Sequence, residues 1–146
     1  MLSIRTKLLR ENASMPTYGT DAAAGADLHA CLDAPVTIAP GETVLIPIGI
    51  AMEIPCGYAG LVYARSGLSV KRDLAPANKV GVIDPDYRGE ILVALHNHSN
   101  MPETIADGER VAQLLIAPYV SAAFEEADTL SNTKRGDGGY GSTGRK

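Results

Sequence analysis

At 146 residues the chain suits one domain, long enough to bury a core without disulfides or a structural metal. Hydrophobic residues make up 45% and charged residues 21%, with no Trp and one Phe, so the core must be built from Val, Ile, Leu and Ala. The net charge of -4 is spread over interspersed signs with no basic block, which excludes polymeric nucleic acid as a partner but leaves room for a small anion on a local arginine cluster.

The first residues, Met1-Leu2-Ser3-Ile4-Arg5, lack a charged-then-apolar export pattern, and a cytoplasmic protein is expected. Residues 44–54 form the longest apolar stretch, yet Pro47, Gly49 and Glu53 interrupt it and it is too short to cross a bilayer, so no membrane association is expected. The 15 glycines and nine prolines punctuate runs of strand composition at 3–9, 27–31, 36–38, 43–50, 58–64, 80–83, 90–97 and 110–118. Many short strands with frequent turns predict an all-β, jelly-roll-like sandwich or barrel. Several runs are almost wholly apolar, which predicts cover on both faces by a second sheet or another subunit. Only 66–72 reads as a helix, with Ser66 as its expected cap. A β domain over residues 1–134 is expected to give way to a tail over 135–146. That tail, RGDGGYGSTGRK, carries five glycines and hardly an apolar anchor, so it cannot offset its ordering entropy by burial and should be mobile until a ligand binds.

Polar groups concentrate at four places. Asp27 stands in the apolar segment Ala24-Gly25-Ala26-Asp27-Leu28. In Ala64-Arg65-Ser66-Gly67, an arginine beside a helix start favours an anion, although a plain cap with a solvated arginine explains those residues equally well. In residues 81–91, apolar runs flank Asp84-Pro85-Asp86-Tyr87-Arg88-Gly89, which predicts a β-hairpin with Asp84 where its first strand ends. An Asp there can also simply bond the turn backbone. In the tail, Arg135, Tyr140, Ser142 and Thr143 stand among glycines whose N–H groups can turn toward one phosphate; the ending GK[ST] of a Walker loop is absent.

Taken in order, AGADL, ARSGLS, GVIDPDYRGEI, GERVAQLLI and RGDGGYGSTG resemble the five motifs of the trimeric dUTPase family, from Ala24 to Gly144. The resemblance implies a homotrimer of jelly-roll subunits whose three sites each draw on all three chains, with the tail of one subunit closing over the site. It implies Mg²⁺-assisted hydrolysis of dUTP to dUMP and pyrophosphate, which keeps uracil out of DNA and supplies dUMP for thymidylate synthesis. Asp84 matches the carboxylate that orients and deprotonates the attacking water, and Tyr87 the ring that packs on deoxyribose and leaves no room for a 2′-hydroxyl. Asn78, expected on the strand entering the hairpin, matches the side chain that reads uracil. Arg65, Ser66, Gly67 and Gln113 match phosphate-contacting segments, and Asp27 an acid that reaches the metal through water. Arg135, Gly141, Ser142 and Thr143 match the clamp on the terminal phosphate, and Tyr140 an aromatic that stacks on the base. Two departures stand out: Tyr140 replaces the usual Phe, and Ala64 replaces a common Pro.

A dCTP deaminase shares the implied fold and the Arg-Ser-Gly segment, but the hairpin segment and the glycine-rich clamp oppose it. A non-catalytic nucleotide-binding protein on the same scaffold is the other alternative, and no residue needed for turnover is missing. Arg135-Gly136-Asp137 spells a cell-adhesion tripeptide, for which the phosphate clamp is the better account. His96 and His98 fall on one face of a strand but lack a third ligand, so a structural or interface role is expected. Cys31 and Cys56 are expected to be small buried hydrophobes rather than a disulfide or a metal pair.

Overall fold

In a computed structural model, residues 2–139 are described. Among them are twelve strands and one helix: β1 (Arg5–Leu8), β2 (Thr17–Tyr18), β3 (Ala26–His29), β4 (Val36–Ile38), β5 (Thr43–Pro47), β6 (Ile50–Glu53), β7 (Tyr58–Tyr63), α1 (Ser66–Arg72), β8 (Leu74–Pro76), β9 (Gly81–Ile83), β10 (Leu92–Asn97), β11 (Glu103–Ile105) and β12 (Arg110–Pro118). They form an all-β, jelly-roll-like fold. Its largest sheet has the order β2-β3-β12-β7-β9, a second has the order β5-β10-β8, and β1-β6 and β4-β11 pair separately. Every ladder is antiparallel. One core draws on all four sheets, with Leu28, Ile38, Ile46, Ile50, Leu95 and Val111 each fully buried.

The helix and the strands at 36–38 and 110–118 fall where the sequence predicts them. The run 43–50 does not stay one strand. Gly49 adopts φ +73°, and a Cβ there would lie 2.6 Å from the Cys31 sulfur and 2.7 Å from the Ala13 Cβ. Only glycine accepts both the turn and the crowding. The chain therefore corners at Ile48–Gly49, passing from β5 in one sheet to β6 in another. The predicted hairpin at 81–91 is also corrected. Strand β9 pairs with β7 and β10 with β5 and β8, so the two apolar runs belong to different sheets and diverge. Strands β2, β8 and β11 were not predicted; each has two or three residues, too few for alternation to show. In β8, Pro76 is tolerated because the strand is a sheet edge.

Asn97 is fully buried, and its amide is satisfied: Nδ2 donates to the carbonyls of Ile38 (3.0 Å) and Met101 (2.7 Å), and Oδ1 accepts from the Ser99 N–H (2.9 Å). Both cysteines are free thiols, as expected, but only Cys31 is buried; Cys56 is exposed in the turn before β7. Burial pushes the Cys31 thiol up from its ordinary pKa. After β12, residues 119–139 carry no strand or helix, and Val120, Phe124 and Leu130 are exposed.

Candidate active site

Strand pairing builds the first cluster. Asp27 on β3 lies opposite Gln113 on β12, and Gln113 opposite Tyr63 on β7, so the three share one face of the sheet. A register shift between Arg110 and Ala112 adds Arg110 to that face, which strict alternation from Gln113 would deny it. Arg110 Nη1 donates to Asp27 Oδ2 at 3.1 Å and Arg65 Nε to Asp27 Oδ1 at 2.7 Å. Asp27 is thus held between two guanidinium groups. Gln113 Nε2 donates to the Ala64 carbonyl at 2.8 Å, tying β12 to the start of α1. A Cβ on Gly25 would lie 2.6 Å from Gln113 Oε1, so the glycine of the first motif makes room for the glutamine of the fourth.

Ser66 does not cap α1. Arg65 is the capping residue, in an extended conformation and without a side-chain cap bond. Its guanidinium turns to Asp27, and Ser69 Oγ instead donates back to the Arg65 carbonyl (3.1 Å). The N–H groups of Ser66 and Gly67, at the first two helical positions, have no intrahelical acceptor. The Ser66 hydroxyl has no partner among the described residues, and a Cβ on Gly67 would meet nothing within 4 Å. The helix start is open to an anion. At the other end, Arg72 fixes α1 by donating to Glu103 (2.6 Å), to Glu109 and to the Thr104 carbonyl (2.7 Å). Burial alone would lower the Arg72 pKa; the two carboxylates outweigh it and raise it.

The second cluster lines a cleft of about 240 Å³ opened by the divergence of β9 from β10. Asn78, Asp84 and Tyr87 all border it. Among the described residues strand β9 is a sheet edge, so alternate backbone N–H and C=O groups have no ladder partner there and can read a planar ligand. Asn78 sits in the turn between β8 and β9 rather than on a strand, beside Lys79 at φ 65°. A Cβ on Gly81 would lie 3.2 Å from Asn78 Nδ2, so the amide rests close over the glycine backbone. Asp84 follows β9 directly; it is exposed, and its carboxylate has no hydrogen bond or ion pair among the described residues. Its carbonyl accepts the Tyr87 N–H (3.2 Å), closing the turn. The Tyr87 hydroxyl donates to the Glu90 carbonyl at 3.0 Å. A Cβ on Gly89 would collide with that hydroxyl, so only glycine lets the ring lie there.

The model of the dUTPase family matches residues 11–144, nearly the whole chain, and so takes in both clusters. The chain belongs to the dUTPase family. A deoxyuridine 5′-triphosphate nucleotidohydrolase of Desulfitobacterium hafniense (strain DSM 10664 / DCB-2) is 50% identical over 149 residues, covering 99% of each chain. That of Anaeromyxobacter sp. (strain Fw109-5) is 52% identical over 131 residues, 90% of this chain and 88% of the relative. Among solved structures, a mutant dUTPase of Staphylococcus bacteriophage 80alpha with dUpNHpp superposes with a TM-score of 0.86 at 27% identity, covering 99% of both chains. A mutant dUTPase from phage phi11 of S. aureus, described with a structural Mg(II) ion, gives 0.78 at 26% identity over 88% of this chain and 98% of that one.

Of the dUTPase positions expected from the motifs, Arg65, Ser66, Gly67, Gln113 and Asp27 come together in the first cluster, and Asn78, Asp84 and Tyr87 in the second. Arg135 is exposed and donates only to the Gly138 carbonyl (2.8 Å) among the described residues. Tyr140, Gly141, Ser142 and Thr143 lie outside them. The motif reading assigned no role to Arg110, whose placement beside Asp27 depends on the register shift. His96 contacts His98 edge-on with ring centroids 4.4 Å apart, and its Nδ1 lies 2.8 Å from Thr43 Oγ1. No group of three metal-ligating side chains occurs among the described residues.

Proposed function

We propose that this chain hydrolyses dUTP to dUMP and pyrophosphate by attack of water on the α-phosphate, in the cytoplasm and in sites shared among the copies of a homotrimer. The observation that carries the reading is Asp84, a carboxylate without a partner among the described residues, bordering a cleft also lined by Tyr87 and Asn78, in a chain with the full ordered motif set. Asp84 orients the water and accepts its proton as the bond to phosphorus forms. The Asn78 amide and the free edge of β9 read the uracil N3 and C4 groups, where uracil and cytosine differ in donors and acceptors. Arg65, the Ser66 hydroxyl and the open N–H groups of Ser66 and Gly67 take up phosphate charge.

One carboxylate already shared by two arginines does not make a resident metal site. Mg²⁺ usually retains several waters and arrives on substrate phosphates, and Asp27 fits contact with such an ion through its water shell. When bound, the ion neutralises phosphate oxygens that would otherwise repel the nucleophile. A pyrophosphate-release assay with dUTP and the four standard dNTPs, with and without Mg²⁺, tests the reading. Release from dUTP alone, and only with the metal, is expected; ammonia from dCTP would favour the deaminase, and no turnover would favour a binding protein.

Strand register supports sharing between subunits. Val62 pairs with Gly81 and Gly60 with Ile83, so Asp84 falls beside Ala59 while Arg65 lies beyond the far end of β7. At about 3.4 Å per residue the two are roughly 20 Å apart along the strand, too far to serve neighbouring phosphates of one nucleotide from a single chain. The outer face of the same sheet carries the row Val82–Leu61–Leu115, of which Val82 is 63% exposed, an apolar strip suited to cover by a neighbour. Three copies of the 15.3 kDa chain give a particle of roughly 46 kDa with closed cyclic symmetry. Light scattering at micromolar protein should find that mass. An active monomer would contradict the shared site.

A further inference from the structure

Tyr87 is only as good a sugar gauge as the backbone that holds it. Among the described residues its one side-chain anchor is the bond from its hydroxyl to the Glu90 carbonyl. Glu90 is unusually constrained for a residue next to a turn. One carboxylate oxygen accepts the Gly49 N–H at 3.1 Å, and the other accepts from Arg10 Nη2 at 3.3 Å. The next residue, Ile91, is buried; its N–H donates to the Ile50 carbonyl (2.9 Å) and its carbonyl accepts from the Ile48 N–H (3.0 Å). The Gly49 carbonyl in turn accepts the Leu9 N–H at 2.8 Å, so the first strand region, the β5–β6 corner and the cleft wall are joined at one point. Gly49 cannot be exchanged without meeting Cys31 and Ala13, which keeps its N–H aimed at Glu90.

We infer that Glu90, held by Arg10 and the Gly49 N–H, is a positioning residue that sets the Tyr87 ring and so governs the choice between deoxyribose and ribose. This rests on the proposed function, in which Tyr87 excludes a 2′-hydroxyl. The closing experiment therefore measures kcat/KM for dUTP and for UTP on full-length protein, with a thermal melt for each variant. Freeing the ring should admit ribose and narrow the dUTP/UTP ratio about tenfold in Glu90→Ala and in Tyr87→Phe, the scale set by one lost contact in a discriminating pocket. Arg10→Ala should narrow it less, since the Gly49 bond remains. Glu90→Gln preserves an oxygen for the Gly49 N–H and should retain most of the ratio, which a general charge effect would not predict. Glu90→Ala and Tyr87→Phe combined should narrow the ratio no further than either alone, because both act through the one anchor.

A ratio within about twofold of wild type in Tyr87→Phe, or in a folded Glu90→Ala, would overturn the inference. Should Glu90→Ala not fold, Tyr87→Phe and Arg10→Ala decide the matter. Wild-type protein that fails to hydrolyse dUTP would remove the proposed function and this inference together. Normal dUTP hydrolysis with an unmoved ratio would remove only the inference.

Discussion

Replacing Asp84 by Asn should lower kcat for dUTP by a factor on the order of 10²–10⁴, the usual contribution of a positioned general base. Asn has the same shape, and the turn is closed by the backbone bond from the Tyr87 N–H to the residue-84 carbonyl, which the change leaves alone. Asn78, Tyr87 and the edge of β9 are also untouched, so binding of a non-hydrolysable dUTP analogue should change little. The melting temperature should hold as well, because the Asp84 carboxylate is exposed and bonds nothing among the described residues. Single-turnover kinetics alongside calorimetric titration separate the two quantities. A variant with near wild-type kcat would place water activation on another group.

Deleting residues 135–146 should leave a folded trimer with almost no dUTP hydrolysis. The described part of that segment is tied only to itself, through Arg135 Nε to the Gly138 carbonyl, and to the turn before it, through the Gly136 N–H to Thr133. The melting temperature should therefore stay close to that of the full chain. Arg135, Ser142 and Thr143 are expected to bond the terminal phosphate, and Tyr140 to stack on the base. Losing two or more charge-assisted bonds, each worth about 1.5–3 kcal/mol, corresponds to a fall of roughly a hundredfold or more in kcat/KM. Binding of dUMP, which lacks the terminal phosphate, should suffer far less. Limited proteolysis gives an independent reading: cleavage at Arg135 should be fast in the free enzyme and slow with Mg²⁺ and the analogue. Full activity after truncation, or equal cleavage with and without ligand, would make the segment an ordinary chain end.

Asp84 could be placed from sequence because a strand of apolar residues meets Pro85 and Asp86, and such punctuation is local. The predicted hairpin around it failed for a non-local reason. Adjacent strands usually pair, but β9 finds β7 and β10 finds β5 and β8. That divergence is what opens the cleft, so the pocket lies where local pairing gives way to pairing across the fold. Asn78 was expected on a strand and stands in a turn, after the three-residue strand β8 and beside the positive φ of Lys79. Cys56 was expected inside and is exposed, since a single small residue in a turn carries no periodicity to place it.

By itself the sequence determined the family, the all-β class, the helix at Ser66–Arg72 and the identity of the acid, the aromatic and the arginines on which the proposed chemistry depends. Those features are set by residue type and by neighbours within a few positions. Tertiary structure alone decided which distant groups meet. Arg110 reaches Asp27 because a register shift overrides alternation, and Arg10 reaches Glu90 across 80 positions of chain. It also decided that Asp84 and Arg65 stand toward opposite ends of β7, the spacing on which the proposed sharing of sites between copies rests. Strand partners, bulges and close approaches over glycine are chosen by the packing of the whole core, and no window of sequence contains that information.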